Sequence, residues 1–294
     1  MSFSAEISAG CKINLRLKVT SVRPDGYHDL DTVFLPVSFP FDRIAMDFSA
    51  GEGIAFECDA FSPQESGANL AVKAAQRYAD RARIAPQWKI LLEKNIPIAS
   101  GVGGGSSDAA GVLKLLNDHY QKFSSSELAE LALSLGADVP FFLEKRPVRA
   151  RGVGEKFSDF IIPGKMPEIL LVYPGFPVSA KWAYQALDPR YIGDGEPIGP
   201  EDYAAAFAAP EKADWNELLR NDLAFALWKK FPLCRLIRDF ILDHGGWCVQ
   251  FSGSGSSLFA LFGDSCCAAD CAAKLRKSEF GSSCTRIFTS NKEW

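Results

Sequence analysis

From Glu93 to Ala110 the chain reads Glu-Lys-Asn-Ile-Pro-Ile-Ala-Ser-Gly-Val-Gly-Gly-Gly-Ser-Ser-Asp-Ala-Ala. An apolar run from Trp88 to Leu92 feeds this loop of small residues, and a segment with helical spacing follows it, at Ala109, Ala110, Val112, Leu113, Leu115 and Leu116. A glycine-rich turn that opens into a helix presents unpaired backbone N–H groups and the positive end of the helix dipole, which suits phosphate. Glycine matters there because a Cβ blocks close approach and disfavours positive φ. The two commonest phosphate patterns are excluded. No Gly-Lys-Ser/Thr follows, so this is not a Walker A loop, and Ser106 stands where a dinucleotide fingerprint needs its third glycine. A flexible linker or a plain strand-to-helix turn is the competing reading, and the run of Gly103, Gly104 and Gly105 straight into Ser-Ser-Asp and an apolar helix weighs against it.

Three further groupings could carry chemistry. Lys12 and Asn14 lie two apart on a predicted strand and so share a side. They form either a solvated polar face or a fixed positive charge of the kind phosphoryl transfer needs, because the reacting oxygens gather negative charge. Asp138 follows a predicted helix end in Gly136-Ala137-Asp138-Val139-Pro140-Phe141-Phe142. It is either a turn aspartate bonded to nearby N–H groups or a carboxylate able to accept a hydroxyl proton. Arg23-Pro24-Asp25-Gly26-Tyr27-His28 is a turn joined to an aromatic and an imidazole. It is a loop with a partly buried tyrosine, or a stacking surface beside a donor and acceptor edge that suits a nucleobase.

These residues need elements to hold them. Ile13, Leu15, Leu17 and Val19 alternate with Lys12, Asn14, Arg16 and Lys18, which predicts a strand with one face on a core. Asp42 to Phe48 and Gly53 to Cys58 are further strand candidates, and Ala68 to Arg83 reads as a helix. Ser124-Ser125-Ser126-Glu127 has capping-box spacing and starts a helix over Glu127 to Leu135, with Gly136 as its stop. Glu168 to Tyr173 reads as a buried strand, and Asp188 to Asp214, rich in Gly, Pro and Ala, as a long connection or mobile insertion. Helices are predicted over Asn216 to Lys230, Leu233 to His244 and Ser265 to Lys277. Strands over Cys248 to Phe251 and Ser257 to Phe262 flank a second small-residue turn, Ser252-Gly253-Ser254-Gly255-Ser256. Strands and helices in this order predict an α+β fold in two lobes divided near residue 160.

Composition narrows the class. The chain has 294 residues, 47% hydrophobic and 23% charged, ordinary for a globular protein able to bury a large core. A net charge of -4 supplies no general field for nucleic acid, and no nucleic-acid partner is expected. The first ten residues lack the pattern of a secretory signal, and no apolar run approaches a membrane span. Of the 8 cysteines only Cys266, Cys267 and Cys271 cluster, and none forms Cys-x-x-Cys. Reduced thiols in a cytoplasmic enzyme fit this better than a disulfide framework. His28, His119 and His244 lack metal-ligand spacing, so no protein-held metal is expected.

Three separated segments together resemble one family. Ser8-Ala9-Gly10-Cys11-Lys12-Ile13-Asn14-Leu15, Pro97 to Ala110, and Phe251-Ser252-Gly253-Ser254-Gly255-Ser256 are similar, in order, to the three motifs of the GHMP kinase superfamily (galacto-, homoserine, mevalonate and phosphomevalonate kinases). Pro24-Asp25-Gly26-Tyr27-His28, Leu135-Gly136-Ala137-Asp138-Val139-Pro140 and Gly152-Val153-Gly154-Glu155 resemble one branch of it. That branch phosphorylates the 2-hydroxyl of a methylerythritol carrying cytidine diphosphate, in the non-mevalonate route to isoprenoids.

The resemblance implies a two-lobed GHMP kinase fold, an N-terminal ATP-binding lobe over 1–160 and a C-terminal α/β sandwich lobe over 161–294. It implies ATP with Mg2+ as cosubstrate, bound by Asn69, Lys94 and the loop Pro97, Ile98, Ala99, Ser100, Gly101, Val102, Gly103, Gly104, Gly105, Ser106 and Ser107. Lys12 and Asp138 match the catalytic pair. Asn14, Tyr27, His28 and Tyr184 match substrate contacts, Tyr27 stacking on the cytosine and His28 reading its edge. Two positions depart from the family pattern. Gly10-Cys11 replaces a usual Pro-Ala before the lysine, and Ala180 replaces a threonine after Ser179, which removes one expected hydrogen bond to substrate. The alternatives are a homoserine- or mevalonate-type kinase of the same superfamily, or a nucleotide-binding paralogue without catalysis. A monomer or weak homodimer is the expected state.

Overall fold

The computed structural model describes residues 5–60, 69–144, 146–193, 198–281 and 286–289. They form two compact units that interleave along the chain: described residues within 1–11, 40–98 and 103–146 make the first, and those within 12–39, 99–102 and 147–294 the second. Two long strands, β1 (Ala5–Val22) and β2 (His28–Asp47), run through both. Along the sequence these strands and the loop over 99–102 pass from one unit to the other, and the last change of unit falls between Arg146 and Pro147.

In the first unit the far end of β2 pairs antiparallel with β4 (Gln87–Glu93), Arg43 opposite Glu93, and β3 (Gly53–Cys58) lies parallel to β4. Helix α1 (Leu70–Ala82) buries Ala71, Ala74, Ala75, Tyr78 and Ala79, a single stripe at helical spacing. It packs on α2 (Gly104–Tyr120), where the Tyr78 hydroxyl donates to Asn117 Oδ1 at 3.1 Å. A Cβ on Gly111 of α2 would lie 2.7 Å from Ile44 Cδ1 and 3.3 Å from Ile7 Cγ2, so glycine lets that helix rest directly on β1 and β2. The predicted capping box of Ser124 and Glu127 is present and starts α3 (Ser125–Leu133). That helix ends earlier than Leu135, and the Gly136 N–H closes onto Ala132 and Leu133 carbonyls. A short α4 (Phe141–Glu144) follows.

In the second unit the near end of β2 pairs antiparallel with β5 (Val148–Gly152), Leu30 opposite Gly152, and β5 with β6 (Lys156–Asp159). A separate antiparallel sheet has the order β10 (Arg286–Thr289), β7 (Glu168–Tyr173), β9 (Leu258–Phe262), β8 (Cys248–Phe251). All five residues of β9 are buried, as its unbroken apolar run requires. Helices α9 (Pro232–Asp243) and α10 (Ser265–Lys277) add Cys234, Ile237 and Ile241, and Ala268, Cys271, Ala272 and Leu275, to that core. The smaller helices are α5 (Ala180–Gln185), α6 (Pro200–Ala208), α7 (Trp215–Leu218) and α8 (Ala224–Lys230).

One of the two readings of β1 falls, and two expectations need correction. The polar side of β1 is not solvated: Lys12, Asn14, Arg16 and Lys18 are 5%, 2%, 6% and 4% exposed. The stretch from Asp188 to Asp214 is not a bare connection. It holds α6, and Tyr203 is fully buried with its hydroxyl donating to Leu218 O at 2.7 Å. Residues 194–197 of it lie outside the described residues, as do Ala68 and Cys284. The single helix over Asn216 to Lys230 is two, α7 and α8, because residues 220–222 pair with β1 instead. Leu17 N donates to Arg220 O at 2.8 Å and Asp222 N to Leu17 O at 3.0 Å.

The seven cysteines among the described residues are in no disulfide. Among the described residues no helix is long and apolar enough to cross a membrane.

Candidate active site

Within the second unit the three motif segments meet. Lys12 N donates to Val102 O at 2.9 Å, Ser257 N to Ser100 O at 3.0 Å, and Ser252 Oγ to Gly101 O at 3.0 Å. Asn14 N donates to the same Ser252 Oγ at 3.3 Å. Gly101 has φ +83°, and a Cβ there would sit 2.3 Å from Ser252 O and 2.7 Å from Gly255 O. Only glycine tolerates both conditions.

The polar row of β1 is oriented by a chain of hydrogen bonds. Thr32 Oγ1 donates its one proton to Arg16 O at 2.6 Å, so its oxygen is an acceptor toward Asn14 Nδ2 at 2.8 Å. That fixes the Asn14 carboxamide, whose Oδ1 accepts from Lys12 Nζ at 2.5 Å. The ammonium also lies 4.5 Å from the centroid of Phe34, a cation–π contact. Lys12 is thus a cation with a set direction.

Residues that sequence patterns do not mark support this cluster. Asn221, buried in the break between α7 and α8, donates from Nδ2 to Phe251 O at 3.0 Å and Gly253 O at 2.8 Å, holding the second small-residue turn. Asp222 accepts from Val19 N at 2.8 Å. Both sit inside an apolar run with helical spacing, where an Asn-Asp pair signals only a helix break.

The turn before β2 is built by Asp25, whose Oδ1 accepts from Tyr27 N at 3.0 Å, and by Gly26 at φ +84°. It leaves Tyr27 65% exposed. His28 is half-buried beside Tyr184, ring centroids 4.9 Å apart and tilted by 35°. Burial lowers the His28 pKa below its ordinary 6.5, so the imidazole is neutral near pH 7 and keeps one donor and one acceptor. Ser179 caps α5, accepting from Trp182 N at 3.4 Å, and Ala180 begins that helix.

Within the first unit the loop Pro97 to Ser107 leads into α2. Gly103 is its N-cap at φ 76° and has no side chain to bond the first turn. Gly105 is exposed, and a Cβ on it would meet nothing within 4 Å. The start of the helix is therefore open at Gly105, and the first amides of a helix, which lack partners within it, suit an anion. Lys94 is 6% exposed and bonds Asp42 Oδ2 and Asp108 Oδ2, the latter at 2.8 Å. Burial is the larger cause that pushes the Asp108 carboxyl up to about 7, with Lys94 opposing and Asp42 adding to it. Lys94 keeps a raised pKa because the two carboxylates outweigh its own burial. Asn69 caps α1, its Oδ1 accepting from Ala71 N at 2.9 Å. Asp138 is half-buried in the turn that enters α4, where Val139 N donates to Gly136 O at 3.1 Å.

The predicted residues thus divide into sets. Lys12, Asn14 and Ser100 to Val102 are brought together in the second unit, which also holds Tyr27, His28 and Tyr184 with the last two in contact. Lys94, Asn69, Gly103 to Ser107 and Asp138 belong to the first. Among the described residues no three His, Cys, Asp or Glu side chains are placed to hold a metal ion.

Residues 69–146 match the GHMP kinases N terminal domain. The chain is 38% identical over 268 residues, 87% of its length and 89% of the relative's, to the 4-diphosphocytidyl-2-C-methyl-D-erythritol kinase of Syntrophotalea carbinolica. A crystal structure of 4-(cytidine 5'-diphospho)-2C-methyl-D-erythritol kinase superposes with a TM-score of 0.81 at 35% identity, covering 97% of this chain and 98% of that one. The homoserine kinase of Cytophaga hutchinsonii shares the fold, with a TM-score of 0.74 at 17% identity over 99% of this chain and 95% of that one. The α+β expectation and the three-motif resemblance agree with these likenesses, and the chain belongs to the GHMP kinases, in the family of 4-diphosphocytidyl-2-C-methyl-D-erythritol kinases.

Proposed function

We propose that this protein transfers the γ-phosphoryl group of ATP to the 2-hydroxyl of 4-diphosphocytidyl-2-C-methyl-D-erythritol, giving the 2-phosphate and ADP, a step in isoprenoid precursor synthesis. The observation that carries this reading is the meeting of Lys12 and Asn14, Ser100 to Val102, and Ser252 to Ser257 through backbone and hydroxyl hydrogen bonds. The glycine-started N-terminus of α2, open at Gly105, supports a polyphosphate ligand on the amides of Gly103 to Ser106. Asn69, at the start of α1, is assigned to the adenine.

In the proposed reaction Asp138 accepts the proton of the attacking 2-hydroxyl while the hydroxyl oxygen bonds the γ-phosphorus and the bond from that phosphorus to ADP breaks. Lys12, directed by Asn14, steadies the negative charge on the moving group. Magnesium, carried by the nucleotide's phosphates, neutralises part of their charge. The cytosine stacks on the exposed ring of Tyr27 and is read by the neutral edge of His28, with Tyr184 behind it. The base then serves as a remote anchor that aligns the hydroxyl.

The test is an ADP-release assay with 4-diphosphocytidyl-2-C-methyl-D-erythritol beside mevalonate and homoserine, with the product's phosphate located by NMR. ADP release confined to the first substrate, with phosphate on the 2-oxygen, is the expected result. Faster turnover of either other alcohol, or tight ATP binding with no turnover of any, overturns the reading.

A further inference from the structure

The loop that starts α2 is closed at its base by one buried ammonium. The segment entering the loop, Lys94 to Ile96, is fastened to a single carboxylate. Asp42 Oδ1 accepts from Asn95 N at 2.6 Å and from Ile96 N at 2.8 Å, while its Oδ2 accepts from Lys94 Nζ. The segment leaving the loop is reached by the same ammonium, through Asp108 Oδ2 at 2.8 Å. Asp42, Lys94 and Asp108 side chains are 0%, 6% and 3% exposed, so water does not share these bonds. The ammonium is held close under the first turn of α2: a Cβ on Gly104 would lie 3.4 Å from Lys94 Nζ and 2.7 Å from Ile96 Cγ2. All of these residues belong to the first unit.

We infer that Asp42, Lys94 and Asp108 form a clasp that sets the separation of the two stems of the phosphate loop, making Asp42 and Asp108 positioning residues for ATP. The inference rests on the proposed role of that loop in binding ATP. The physical reason is geometric. Amides at a helix N-terminus bind a polyphosphate only while they converge, and convergence in a glycine-rich loop depends on how its stems are anchored. Glycine contributes no side chain that could hold the loop from within. A buried ammonium between two carboxylates is short, directional and poorly screened, so it is stiffer than a surface pair. Lys94 acts on the nucleotide through the loop, its ammonium being committed to the two carboxylates.

The experiment measures ATP and 4-diphosphocytidyl-2-C-methyl-D-erythritol dissociation constants by titration calorimetry at pH 8, where Asp108 is ionised, for the wild type, Asp108→Asn and Asp42→Asn, with thermal midpoints alongside. The isosteric changes keep shape and, in Asp42→Asn, an acceptor for the two backbone amides. ATP binding is expected to weaken about 10-fold or more, while the alcohol substrate stays within about twofold. A folded variant with unchanged ATP affinity overturns the clasp, and so does equal weakening for both ligands, which marks general loosening. Should the variants not fold, hydrogen exchange on the unmodified protein decides. ATP is expected to slow exchange at Asn95 and Ile96 together with Gly104 to Ser107, and protection of the helix start alone overturns the inference. Wild type that binds ATP but leaves the alcohol unphosphorylated counts against the proposed function and not against the clasp.

Discussion

Ser252 donates its hydroxyl proton to the carbonyl oxygen of Gly101, 3.0 Å away, and its own carbonyl stands where a Cβ on Gly101 would have to go. The two residues are 151 positions apart in sequence, so Ser100 to Val102 and the small-residue turn are built together within the second unit. Gly101→Ala meets both a left-handed backbone and a clash, its Cβ lying 2.3 Å from the backbone oxygen of Ser252. A loss of roughly 1–3 kcal/mol from backbone strain alone is expected, with more from the clash. Urea denaturation of the variant beside Gly105→Ala, where a Cβ meets nothing within 4 Å, checks this. Equal midpoints for the two would show that the close approach is not maintained in solution.

Asp138→Asn keeps the shape of the side chain and removes its ability to take a proton. The expected outcome is a fall in kcat of about 10²-fold or more with ATP affinity nearly intact. Single-turnover kinetics at saturating ATP make the comparison, and near-normal turnover dismisses Asp138 as the base.

Tyr27→Ala removes an exposed ring whose backbone is set independently by Asp25 and Gly26. Stacking of one base is worth about 1–3 kcal/mol, so the KM for the cytidyl substrate should rise by about one to two orders of magnitude. The KM for ATP and the thermal midpoint should not move. An unchanged substrate KM would falsify the stacking role.

Asp108 gives a pH signature. Its carboxyl holds a proton up to about 7 in the folded protein, against 3.8 ordinarily, chiefly because it is buried. A proton bound more tightly in the folded state favours folding at low pH, and that contribution is lost as pH rises through about 7. The groups facing it are Lys94 and Asp42. Between pH 5 and pH 8 the wild type should therefore lose more stability than Asp108→Asn, as read from denaturant midpoints. Parallel curves for the two proteins would refute the assignment.

How much was legible beforehand depends on the range of the interactions. The capping box at Ser124 and Glu127, the strand over Glu168 to Tyr173 and the helix over Ser265 to Lys277 are local, and the sequence states them nearly to the residue. The buried polar side of β1 was not legible, because alternation is the same whether the polar face meets water or other polar groups. The partners of its side chains include Thr32, on the neighbouring strand, and Glu217, brought in from 201 positions along the chain. The break between α7 and α8 was missed for the same reason. Helical spacing runs through residues 216–230, and only the pairing of 220–222 with β1 overrides it. Tyr203 was hidden by an alanine- and proline-rich context that reads as a connection. At the site, the motif residues were visible individually, while their supports, Asn221 and Asp42, carry no signature outside the fold.

The pairing of Leu17 with residues 220–222 bears on how the protein is made. Arg16 and Val19 find their partners, Glu217 and Asp222, 201 and 203 positions later. During synthesis the N-terminal strand is expected to leave the ribosome long before Glu217 and Asp222 are made, so the Arg16 guanidinium and the Val19 amide wait for partners about 200 positions later. Chains truncated before residue 217 should accordingly be chaperone clients, and a pulse of newly made protein should acquire protease resistance in the second unit only after release of nearly complete chains.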